Sequence, residues 1–117
     1  QIAYVKNTGQ NTAWIRVRPV TSAVLANGKE MGNEEMGEQI QLVLNQEDWS
    51  EQDGWYYYQE PVEAGGQTAA FFTAVAFDQR MGNEYKKCTV FLQVDAQAVQ
   101  WANNGSNIWD AAGWPAE

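Results

Sequence analysis

Four carboxylates, Glu47, Asp48, Glu51 and Asp53, crowd the stretch just before Gly54. Oxygen donors at that density are what a hard cation such as calcium takes. Counting back from Gly54 as the sixth position of an EF-hand loop puts Trp49 where the first Asp belongs, so that motif fails. An irregular oxygen site stays open beside the plainer reading, a solubilising acidic loop with no bound metal. Fifteen Asp and Glu could in principle furnish an acid/base pair, but their spacing does not bring two of them into a cleft. The chain has no histidine, which removes imidazole-dependent triads, the two-His zinc helix and most zinc or copper sites. Cys88, alone of its kind in the sequence, sits on the apolar side of a strand pattern with no evident charged partner. It reads as a small buried hydrophobe rather than a nucleophile. No phosphate loop or dinucleotide fingerprint occurs, and Asn104-Gly105-Ser106 matches the glycosylation sequon only as a common three-residue pattern. The expectation is a protein without catalytic residues or cofactor, not an enzyme.

The aromatics are the remaining candidates. Gly54-Trp55-Tyr56-Tyr57-Tyr58 puts four rings in a row, and a strand must divide them between its two faces. Trp55 and Tyr57 are expected as the core pair, with Tyr56 and Tyr58 outside. Together with Trp14, these outer tyrosines form the predicted aromatic contact surface. Such rings anchor protein contacts or stack on sugars. A carbohydrate-binding module using Trp14, Trp55, Tyr56 and Tyr58 is therefore the alternative function.

The elements that must hold these rings are short strands separated by turn residues, with little helical period. Residues 2–6 alternate and stop at Asn7-Thr8-Gly9; residues 12–20 form the clearest strand, with Ala13, Ile15 and Val17 on one side and Trp14, Arg16 and Arg18 on the other. The two are expected to make a hairpin, and Pro19 to end the second strand's pairing or place it at an edge. Asn27-Gly28 marks a turn in a less regular stretch over 21–37. Residues 39–45 show Ile40, Leu42 and Leu44 on one face, and 67–77 place Phe71, Thr73, Val75 and Phe77 opposite Phe72, Ala74 and Ala76. After a turn at Met81-Gly82-Asn83, residues 87–99 align Cys88, Val90, Leu92, Val94 and Ala96 as a long central strand, with helix over 96–103 as the alternative. The tail from Asn103 carries Trp109 and Trp114 and is expected to be docked. MGNE occurs at both 31–34 and 81–84, two turns of similar wording. About six to eight strands without βαβ alternation predict one domain over 1–117, an all-β antiparallel sandwich of jelly-roll or immunoglobulin-like type.

Length and charge set outer bounds. At 117 residues the chain buries a core without disulfides. Its net charge of −8 disfavours nucleic acid and anionic lipid surfaces. No run approaches the roughly 18 apolar residues that span a bilayer. The chain opens at Gln1 with no basic-then-apolar leader, so any targeting signal is expected either to have been removed or never to have been part of this sequence.

Four phrases in order, NTGQNTAWIRV at 7–17, GWYYY at 54–58, GGQTAAFFTAV at 65–75 and VDAQAVQWANN at 94–104, resemble the TasA and camelysin-like proteins of Gram-positive bacteria, exported through the SipW-type signal peptidase. The resemblance spans nearly the whole chain. It implies an extracellular or cell-surface β-sandwich, a biofilm-matrix or fibre subunit whose protein partners include copies of itself, joined by strand donation. Camelysin-like relatives have been described as metalloproteases, but with no His and no HExxH helix that activity does not carry over. A leader and an upstream donor segment are not in this sequence.

Overall fold

The computed structural model describes residues 3–36, 39–78 and 87–116. The alternation at 13–24 produces the longest strand, β1 (Ala13–Val24), which pairs antiparallel along its whole length with β7 (Thr89–Gln100), from Ala13↔Gln100 to Val24↔Thr89. At about 3.4 Å per residue that ribbon is about 40 Å long. It sets the molecule's long axis of 52 Å and a radius of gyration of 16.4 Å, above the roughly 13 Å of a compact chain of similar size. On its other edge β1 meets two partners in succession. β5 (Trp55–Tyr58) lies against Arg16 and Val17, and the short β2 (Glu30–Met31) against Ala23 and Val24. β4 (Trp49–Gln52) pairs with β5 through a turn at Asp53-Gly54. A second sheet holds β3 (Ile40–Leu44) and β6 (Phe72–Phe77). One helical turn, α1 (Asn33–Met36), and a 3₁₀ turn at Ile108–Asp110 complete the described elements. The fold is all-β, antiparallel and sandwich-like, as the strand pattern predicts.

The main core fills the space between the sheets. Ile15 and Val17 from β1 meet Trp49, Val62, Phe71 and Phe72, with Leu42, Leu44, Val75, Leu92 and Val94 around them. Each fully buried aliphatic or aromatic side chain there contributes roughly 1.5–3 kcal/mol. A smaller cluster of Ala23, Leu25, Met31, Met36 and Ile40 closes the far end of the ribbon, with Cys88 half-buried at its margin. Ile40, Leu42 and Leu44 face inward as their alternation predicts.

Several expectations are corrected. Residues 3–7 do not form a hairpin with β1; they run antiparallel to 65–71, with Phe71 N–H donating to Ala3 O, Thr68 N–H to Val5 O and Gly65 N–H to Asn7 O. Both edges of β1 are already taken, by β7 on one side and by Val62 and β5 on the other, so distant partners displace the local one. Asn7 fixes the departure: its side-chain N–H groups donate to Asn11 O and Val62 O and its Oδ1 accepts from Gly9 N. Pro19 does not end β1, whose pairing with β7 continues to Val24. Ala13 sends its N–H and C=O to Val62, away from β7, and strand alternation gives Pro19 the same direction. Its missing N–H therefore falls in the interval between β5 and β2 and costs no bond to β7. Regular pairing in the 67–77 stretch begins only at Phe72, and a bulge at Thr73 shifts the register between Val43 and Leu44. Phe71 and Phe72 are consequently both buried instead of lying on opposite faces. β7 is no central strand: among the described residues it pairs with β1 alone. It continues as strand to Gln100 without turning helical. Ile2, the turn at Met81-Gly82-Asn83 and the second MGNE lie outside the described residues.

Candidate functional site

β1 sends Trp14, Arg16 and Arg18 to the face opposite the inter-sheet core, and the strand pairing brings Trp55 and Tyr57 beside them. The Arg16 guanidinium lies 4.1 Å from the Trp55 ring centre and 4.8 Å from that of Trp114, so it is held between two indoles. Its Nε donates to Oε1 of Gln97, its register partner on β7, at 2.8 Å; a terminal nitrogen donates to the Tyr57 hydroxyl at 2.9 Å. Arg16 is 8% exposed, and its charge is met by ring faces and neutral oxygens. Arg18 stands 4.8 Å from the Trp55 ring and forms an ion pair with its own register partner, Asp95, at 3.5 Å.

The tail from Trp101 onward covers this face. Trp109 and Trp114 pack on Tyr57 at 5.0 and 5.9 Å, and Ile108 is buried. Asn104 ties the tail into a loop: its Nδ2 donates to Gln100 O and Ala112 O, its Oδ1 accepts from Ala112 N, and its carbonyl accepts from the Trp14 indole. The sequon asparagine is thus engaged on both side-chain atoms. Gly105 stands at φ +88°, and a Cβ there would lie 2.4 Å from the Asp110 Cβ.

The predicted site residues do not share one surface. Trp14 is 2% exposed beneath the tail. Tyr56 and Tyr58 pack on the inter-sheet core, and Trp55 and Tyr57 take the face that the tail covers. Trp55 is buried, at 3% exposure, as expected of a core residue, but on the face that the tail covers; the two pairs exchange faces because Val17, opposite Tyr56, is fully buried between the sheets and carries Tyr56 inward with it. Tyr58 stacks on Trp49 at 4.9 Å, and its hydroxyl accepts from Ala69 N–H. Burial, and secondarily the negative charge of Glu51, raises the Tyr56 phenol above its ordinary value. The acidic loop is the β4–β5 hairpin. There Asp48 accepts from the Asn45 side chain and Glu51 from Gly54 N–H, and no three potential metal ligands converge among the described residues.

What the sequence reading missed is the flank between β6 and β7. Trp101 N–H donates to Thr12 O, so the odd residues of β7 bond β1 while Val90, Leu92, Val94, Ala96 and Ala98 turn their backbone groups outward. This edge carries a single charged residue, Asp95, and neither proline nor glycine. Beside it an open groove of about 640 Å³ runs between the sheets, lined among others by Ala3, Leu42, Phe72, Val75, Leu92 and Val94. The uncharged run at 89–94 was the available signal. Reading β7 as a central strand hid it.

Comparison with protein-family models, curated proteins and solved structures finds no match to this chain.

Proposed function

We propose that this chain is an exported, non-enzymatic structural or surface protein that assembles with copies of itself by strand addition along the β6–β7 flank. The supporting observation is the β7 edge over 89–95, with Asp95 its one charge, standing beside an apolar groove, whereas Ala96 and Ala98 lie near residues 5–9. Natural sheets blunt such edges with lysine, proline, bulges or a covering segment, and an edge without these devices templates pairing with another strand. An extended segment entering here satisfies the outward backbone groups of β7 and places alternate side chains against Leu42, Phe72, Val75 and Leu92. Residues 3–7 run antiparallel to 65–71, and Ala3 lies in the groove wall. Export, and the biofilm-matrix or fibre setting, rest on the four phrases that resemble the TasA and camelysin-like proteins. No described helix is long and apolar enough to cross a membrane.

Val94→Pro tests the reading. The Val94 N–H points outward, so proline there leaves the β1 ladder intact while removing a donor from the edge. Negative-stain microscopy and size-exclusion chromatography should show assemblies for the parent chain and monomers for a still-folded V94P. Isolated parent monomers under all conditions, or V94P assembling like the parent, would sink the proposal.

A further inference from the structure

Trp101 differs from the other tryptophans of the tail. Trp109 and Trp114 stack on Tyr57, whereas the Trp101 ring contacts no aromatic ring or cation among the described residues and is 44% exposed. Only its backbone is fixed, by the bond from its N–H to Thr12 O. Trp101 lines an open cleft of about 460 Å³ together with Thr12, Tyr58, Pro61, Glu63 and Gln67. No hydrogen bond or ion pair engages the Glu63 or Gln67 side chains among the described residues.

We infer that this cleft is a subsite for a neutral β-1,4-linked glycan, with Trp101 as the stacking platform. A half-exposed indole at a cleft suits the C–H face of a pyranose, an apolar surface that water solvates poorly. A carboxylate and an amide with uncommitted oxygen and nitrogen atoms suit the hydroxyls that project around the ring's edge. Glu63 and the net charge of −8 select against phosphorylated or uronic-acid sugars. A β-1,4 linkage keeps successive pyranoses flat, so one ring stacks while the chain leaves through the cleft's open side. The subsite lies apart from the β6–β7 flank and does not depend on assembly there.

The probes are chitohexaose and cellohexaose, titrated into the full chain and followed through the indole N–H resonances by NMR. At least one sugar should move the Trp101 indole signal with saturation. Trp101→Ala should weaken that sugar about tenfold, the loss of one stacking contact. Glu63→Gln and Gln67→Ala should each weaken it severalfold at unchanged melting temperature. Trp109→Ala, which removes an exposed ring outside the cleft, should bind like the parent. Three results each overturn the inference: no Trp101 shift with either sugar up to its solubility limit, parental binding by Gln67→Ala and Trp101→Ala together, or loss of binding in Trp109→Ala.

Discussion

Over residues 13–17 the two faces of β1 are both buried, but by different means. Ile15 and Val17 lie under a second sheet, among Trp49, Val62, Phe71 and Phe72. Trp14 and Arg16, one residue out of phase, lie under a tail whose one regular element is a 3₁₀ turn. The inner face is held mainly by close packing, with Trp49 and Tyr58 each bonded to the backbone of Ala69, so its loss is felt by both sheets at once. The outer face is held by a guanidinium between indoles and by one asparagine knot. Those contacts are local, and the tail can open without the sandwich. A strand with two buried faces therefore need not have two equivalent cores.

The largest expected break is Phe71→Ala. It empties the inner core where Trp49 and Phe72 both contact the ring. It should cost about 3–5 kcal/mol in chemical denaturation, with one global transition. Arg16→Met keeps the aliphatic stem but removes the stack and the bonds to Gln97 and Tyr57. A loss of about 2 kcal/mol is expected. Hydrogen exchange should rise in 101–116 well before it rises in β1 and β7.

Gly105→Ala sharpens the comparison further. The substitution combines a positive φ with a clash against Asp110, and should cost about 1–2 kcal/mol. Limited proteolysis should cut the tail while the sheet residues stay protected. If Gly105→Ala and Phe71→Ala gave the same global unfolding, the two faces would form one cooperative unit and the contrast would fail.

The smallest effect belongs to Tyr56. Its phenol titrates above the ordinary value of about 10 because burial, then Glu51, disfavours phenolate. The folded state thus holds the proton more tightly than the unfolded one. Tyr56 stabilisation is complete below the unfolded value and is lost as pH rises through the folded one. Ultraviolet titration of the phenolate band should show one late tyrosine that moves down in Glu51→Gln. The alkaline fall in stability should be shallower in Tyr56→Phe.

Period-two alternation sorted residues into faces where a strand runs without a bulge, and failed at Phe71 and Phe72. Ala13, Ile15 and Val17 opposite Trp14, Arg16 and Arg18, and Ile40, Leu42 and Leu44 together, stand in the structure as they read in the sequence. The docked tail was legible as well, since two tryptophans in a Gly- and Asn-rich stretch find few stable places outside a protein surface. The cleft at Trp101 was not, because its walls come from residues 12, 58–67 and 101.

The sequence by itself determined the all-β class, the strand phases and the lack of imidazole chemistry, because these depend on residue type and on spacing along one segment. Only the tertiary structure decided which face of each strand met the second sheet, which strand stood at the edge and which partner displaced the N-terminal hairpin. Those outcomes depend on pairings such as Ala13 with Val62 or Arg16 with Gln97. A strand's own pattern does not distinguish its two edges, nor its two faces where both carry apolar rings, as at 55–58, and that choice is made only by what arrives from elsewhere in the chain.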